Sequence, residues 1–159
     1  MRRIFTVFVL LLLVSLCSCG DGKGREEKEE YYFTSGNVRF TVGDDAERVI
    51  AELGTPNSRR SSPSCADEGI DEVYAYSGFK IFVHRKGADS RISEIDITSD
   101  TAETDLGIRI GDSKEALLRK YGAANEVDGV IEYIGGKCIL RFYIRDGAVS
   151  AIKYTENDR

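Results

Sequence analysis

Few residues in this chain could do chemistry. His84 is the only histidine. Asp67, Glu68, Asp71 and Glu72 form an acidic group, and Gly43-Asp44 and Gly111-Asp112 stand where helices are expected to begin. One histidine within a strand pattern reads as a surface or cross-strand residue, since a general base needs a positioned nucleophile beside it. No serine lies in a strand–turn–helix elbow, and no glycine-rich phosphate loop follows a strand. The acids at the two Gly-Asp pairs would repel a phosphate from the helix N-terminus. A lone histidine and two distant cysteines lack the spacing of a metal site. The acidic group has no Ca²⁺-loop order and reads as a solvated loop. These residues imply no catalysis, no metal and no cofactor.

Cys19 is different. Met1-Arg2-Arg3 is a cationic start, and residues 4–16 are almost wholly apolar, interrupted by Thr6 and Ser15. Such a run is short for a membrane span and suits an export signal. Leu16-Cys17-Ser18-Cys19 then resembles a bacterial lipobox. The expectation is a signal peptide at 1–18 and a mature chain tethered by fatty acyl groups, palmitate among them, on Cys19. Two or more chains give stable anchoring at about 0.8 kcal/mol per buried CH₂. The protein would lie outside the cytoplasm, on either bacterial membrane.

Losing residues 1–18 removes two arginines and no acid, which moves the formal charge from −5 to −7. An acidic exported chain is a poor partner for nucleic acid or anionic headgroups. With Cys17 lost and Cys19 acylated, Cys65 and Cys138 remain in a compartment that permits disulfides. They either bridge, closing a long loop, or stand as an exposed loop residue and a core thiol.

Residues 19–36 combine glycine with the run Glu26-Glu27-Lys28-Glu29-Glu30 and lack apolar periodicity, as in a flexible spacer. Residues 37–157 read as one pattern written twice, about 37–99 and 104–157. Val42 to Gly54 aligns with Ile110 to Gly122 at a constant offset of 68, and Tyr76-Ser77-Gly78 meets Tyr133-Ile134-Gly135 at 57. An insertion of 11 residues accounts for the difference and falls within 57–71. Each copy predicts a helix capped by Asp44 or Asp112, with Glu47 or Glu115 three residues on, stopped by Gly54 or Gly122. Strand-like runs follow at 71–77, 79–85 and 91–98, then at 130–134, 137–145 and 148–155. The expected fold class is α+β: two tandem α-β-β-β repeats forming one antiparallel sheet, with the helices packed on one face.

Gly43-Asp44-x-x-x-x-Val49-x-x-x-Leu53-Gly54-x-Pro56, followed by Tyr74-Ala75-Tyr76, resembles the SmpA/OmlA (BamE-like) lipoprotein signature. The tandem arrangement resembles β-lactamase-inhibitor-protein-like architecture. Tyr74 stands where that family more often has Trp, and the second copy has Ala124 in place of Pro. The resemblance implies an anchored, non-catalytic binding module.

Strand alternation sorts the faces. Cys138, Leu140, Phe142 and Ile144 turn inward with Phe79, Ile81 and Val83. Phe82, His84, Ile139, Arg141 and Tyr143 turn outward, beside Glu94, Asp96, Val149 and Lys153. Aromatics and arginine in a mixed setting suit a protein contact, so these five are the candidate partner-binding residues. The insertion at 57–71, carrying Arg59, Arg60 and Cys65, is the second candidate. The functional expectation is a protein-binding module of the bacterial envelope, its partner an unidentified envelope or extracellular protein. The alternatives are an inhibitor of an exported enzyme and a small-ligand or cation-binding lipoprotein.

Overall fold

The computed structural model describes residues 30–158. The signal, Cys19 and the linker up to residue 29 lie outside the described residues. Ten strands and two helices follow in the order β1 (Phe33–Ser35), β2 (Val38–Phe40), α1 (Ala46–Leu53), β3 (Ser58–Pro63), β4 (Ile70–Ala75), β5 (Phe79–Lys86), β6 (Asp89–Ile97), α2 (Lys114–Tyr121), β7 (Glu126–Val127), β8 (Val130–Gly135), β9 (Cys138–Arg145) and β10 (Ala148–Glu156). Strands β3 to β10 make one eight-stranded sheet in the order β3-β4-β5-β6-β10-β9-β8-β7, with every neighbouring pair antiparallel. β1 and β2 make a separate hairpin.

This corrects the α+β expectation. The described residues are 48% strand and 12% helix, and the helices are not the layer that was expected to cover one face. Each helix has eight residues, about 12 Å of rise, against a sheet of eight strands about 34 Å across. α1 buries Ala46 and Val49, and α2 only Leu117. The β1–β2 hairpin supplies bulkier cover: Phe33 and Phe40 are fully buried, and Phe33 meets Phe79 at 4.8 Å and Tyr154 at 6.1 Å between ring centroids. The flexible linker expected to reach residue 36 therefore ends sooner, because Phe33 belongs to the core.

Local chemistry explains the strands. β5 buries Phe79, Ile81 and Val83 on one face, and β9 buries Leu140 and Phe142 on the same one. Asp128-Gly129 and Asp146-Gly147 close two-residue hairpins with all four residues at positive φ, between 52° and 77°. Asp and Gly tolerate that conformation, and it matches the twist of the flanking strands.

The two ends of the sheet meet over four residue pairs, from Glu94↔Thr155 to Ile97↔Ile152. The first half of β6 and the first half of β10 project past this junction. Each overhang is covered by the turn that leads into a helix. Gly43 N–H donates to Ile92 O at 2.7 Å and Ile92 N–H to Asp44 O at 3.0 Å; Gly111 N–H donates to Val149 O at 2.8 Å and Val149 N–H to Asp112 O at 2.8 Å.

That pairing moves each N-cap by one residue from the expected position. Asp44 and Asp112 are held in these edge contacts, and their carboxylates accept from Thr41 N–H at 3.1 Å and Arg109 N–H at 2.9 Å. Asp45 caps α1 by accepting from Arg48 N–H at 2.9 Å, and Ser113 caps α2 by accepting from Ala116 N–H at 3.2 Å.

Candidate functional site

The sheet face opposite Phe79, Leu140 and Phe142 carries most of the sequence-derived candidates. Cross-strand pairing lines up Lys80, Asp96, Lys153, Arg141 and Glu132 in one row across β5, β6, β10, β9 and β8. Lys153 Nζ lies 2.7 Å from Glu94 Oε1 and 3.1 Å from Asp96 Oδ1; the second contact is an ion pair without hydrogen-bond alignment. Arg141 Nε donates to Glu132 Oε1 at 2.6 Å, and its Nη1 donates to Thr155 Oγ1. Burial raises the Asp96 carboxyl above the usual range, and the Glu94 carboxylate adds to the rise.

Four of the five candidates open onto two concavities of this face. Phe82 and His84 line one of about 700 Å³, together with Asp67, Asp71, Arg91 and Glu156. Arg141 and Tyr143 line another of about 570 Å³, with Val127, Val130 and Glu132. Ile139 is the exception. It sits between its cross-strand partners Ile134 and Thr155 and is 2 % exposed, so its expected role in a contact surface is withdrawn. Val149, expected outward, is also buried, because a register shift between Val149 and Ala151 breaks the alternation.

Both ring nitrogens of His84 face carboxylates. Nδ1 is 2.8 Å from Asp71 Oδ1 and Nε2 is 3.3 Å from Asp67 Oδ2. The hydrogen bond to Asp71 is the main cause raising the imidazole above its ordinary value, with the charges of Asp67 and Asp71 adding to it. Asp67 also takes Lys86 Nζ at 2.9 Å and Gly69 N–H at 2.7 Å, which hold its carboxyl low. This arrangement ties the turn at 64–69 down onto β5. Neither nitrogen is left to take a proton from a nucleophile.

Glu72 was grouped with the solvated acids and is not one of them. Its side chain is 4 % exposed, on the inward face of β4. It accepts from Arg59 Nη2, from Arg85 Nε at 2.7 Å and from Tyr74 OH at 2.7 Å, and Arg85 Nη1 also pairs with Glu47 of α1. Burial would raise this carboxyl, but the Arg59, Arg85 and Tyr74 donors outweigh it and bring the value down to about 2. The spacing of Glu72, Tyr74 and Arg85 was a readable signal, since the two strands place all three on the face of Ile81 and Val83.

The insertion at 57–71 is a lengthened hairpin. β3 and β4 share six residue pairs where β7 and β8 share two. Cys65 is exposed in its turn and Cys138 is buried in β9; both are free thiols, the second of the two alternatives that the sequence left open. Burial pushes the Cys138 thiol up to about 12. Among the described residues no group of three or more His, Cys, Asp or Glu is placed to hold a metal ion, and no helix is long and apolar enough to cross a membrane.

Compared with known protein families, with curated proteins and with solved structures, the chain matches none. The SmpA/OmlA resemblance thus rests on the motif residues alone.

Proposed function

We propose that this protein is a non-catalytic protein-binding module, tethered by lipid on Cys19 at the outer side of a bacterial membrane. The observation that carries the reading is the outer sheet face. Phe82, His84, Arg141 and Tyr143 open onto two concavities of that face, whereas the ionisable groups beside them are spent on one another: Lys153 on Glu94 and Asp96, Arg141 on Glu132, His84 on Asp67 and Asp71. A preorganised surface of aromatics and fixed charges favours docking, because little side-chain entropy is lost on contact. The lipobox supports the tether. The test is photo-crosslinking on intact cells with the reactive group at Phe82 or Tyr143, and at Arg119 of α2 as the control. A discrete adduct from the two sheet positions and none from the control is expected; no adduct from either removes this face. Retention of the Cys19→Ser chain in the membrane without acylation would remove the tether.

A further inference from the structure

We propose that β3 is a docking edge, which takes an extended acidic segment of a partner protein as an additional strand of the sheet. This rests on the binding-module reading and names the chemistry of the partner. β3 is an outermost strand, and all six of its residues are exposed. Ser64 N–H donates to Gly69 O at 2.9 Å, and on the other side of β4 Tyr76 N–H donates to Phe79 O at 2.9 Å, which turns Asp71, Val73 and Ala75 toward β3. With the β3–β4 register, antiparallel alternation then turns the backbone groups of Ser58, Arg60 and Ser62 toward β4 and those of Arg59, Ser61 and Pro63 away from the sheet. Pro63, which has no N–H, falls where no ladder donor is required. The outward N–H and C=O groups of Arg59 and Ser61 form a template for strand addition.

Charge decides which strand fits. Beside this edge lies an outer-face groove of about 320 Å³, with Val73, Ala75 and Phe82 as its apolar floor and Arg60 and Lys80 as its cations. Nearby cations are neutralised: Arg59 and Arg85 by Glu72 and Glu47 together, Lys86 by Asp67, Arg91 by Asp89. Arg60 and Lys80 have no ion-pair partner among the described residues; Lys80 stands opposite Asp96, but Lys153 occupies that carboxylate. Two uncompensated cations beside an open edge, in a chain of net charge −5, complement carboxylates. Arg60 also opposes pairing between two copies of β3, since like charges would meet. An incoming strand alternating acidic and apolar residues would place its carboxylates beside Arg60, with Lys80 two strands further in adding to the positive field of the groove, and hydrogen-bond to Arg59 and Ser61.

The experiment uses the full-length protein in detergent and labelled ten-residue peptides, one alternating Glu and Val and one alternating Lys and Val. The acidic peptide is expected to bind at least about tenfold more tightly, the equivalent of about 1.4 kcal/mol. Arg60→Glu with Lys80→Glu should remove that preference. Ser61→Pro deletes an outward donor at a position where an edge strand tolerates proline, and should weaken binding about tenfold with unchanged melting. Methylating alternate backbone nitrogens of the peptide should do the same in the unaltered protein. Equal affinity for both peptides, or full affinity for the methylated one, overturns the proposal. Crosslinks from Arg60 to the chain's own Glu26–Glu30 run in the free protein also overturn it, because the groove would then be filled internally. An adduct from Phe82 or Tyr143 on cells alongside failed peptide binding sinks this inference alone; absence of both sinks the binding-module reading as well.

Discussion

Arg85 and Glu72 lie on neighbouring strands and meet diagonally, Nε to Oε2 at 2.7 Å, beneath the first turn of α1 from which Glu47 reaches the same guanidinium. One carboxylate thereby ties β3, β4 and β5 together, and through Arg85 it holds the helix. Breaking a buried pair costs more than the pair is worth, because the remaining charge is stranded.

Glu72→Gln should therefore destabilise the fold by about 3 kcal/mol at neutral pH, read as a lower urea midpoint. The carboxyl falls from 4.5 to about 2 on folding. A depressed carboxyl contributes stability that is complete above the unfolded value and lost as pH falls through the folded one. Native protein should thus weaken between about pH 4.5 and pH 2, and the variant should show a shallower slope there. An unchanged slope contradicts the clamp.

His84 works in the opposite sense. Its value is raised by Asp71 and Asp67, so its contribution is present below the unfolded value and disappears as pH rises through the folded one. Melting temperature should decline across that interval in the native chain and stay flatter in His84→Asn. An NMR titration of the ring places the midpoint directly; a midpoint at or below the free-histidine value refutes the double carboxylate contact.

The two helix caps can be separated from the carboxylates next to them. Asp45→Ala and Ser113→Ala should each cost about 1 kcal/mol, the ordinary worth of an N-cap. Hydrogen exchange should locate the loss in α1 or α2 respectively. Loss spread evenly over β5 and β9 would argue against local capping.

Alkylation separates the cysteines. Cys65 should label rapidly in the folded protein, whereas Cys138 should label only on denaturation, because it is buried and its thiol is pushed up to about 12. Peptide mapping after timed labelling reads both. A Cys65–Cys138 linked peptide from non-reduced protein would contradict the two free thiols.

Strands with strong alternation were legible from sequence. The runs expected at 79–85 and 148–155 lie within β5 and β10, and the turns at Gly78 and Gly147 fall where glycine and Asp-Gly predicted them. β3 was not legible, since Ser-Arg-Arg-Ser-Ser-Pro has no apolar face to alternate and is wholly exposed. β1 was missed for the reverse reason: Phe33 is deeply buried, but three residues are too few to show a period. Periodicity placed Ile139 outward correctly, yet it carries no information about what flanks a residue across the ladder. The Glu72 clamp joins residues 13 positions apart, a distance only strand register brings together.

β10 is the last strand of the described chain and lies near the middle of the sheet, between β6 and β9. Everything made before it amounts to two unfinished ribbons, each with a long raw flank. Final closure must wait for residues 148–156 to arrive. Until then the flanks of β6 and β9 that face β10 lack their partner, and the nine residues of β10 supply it to both at once.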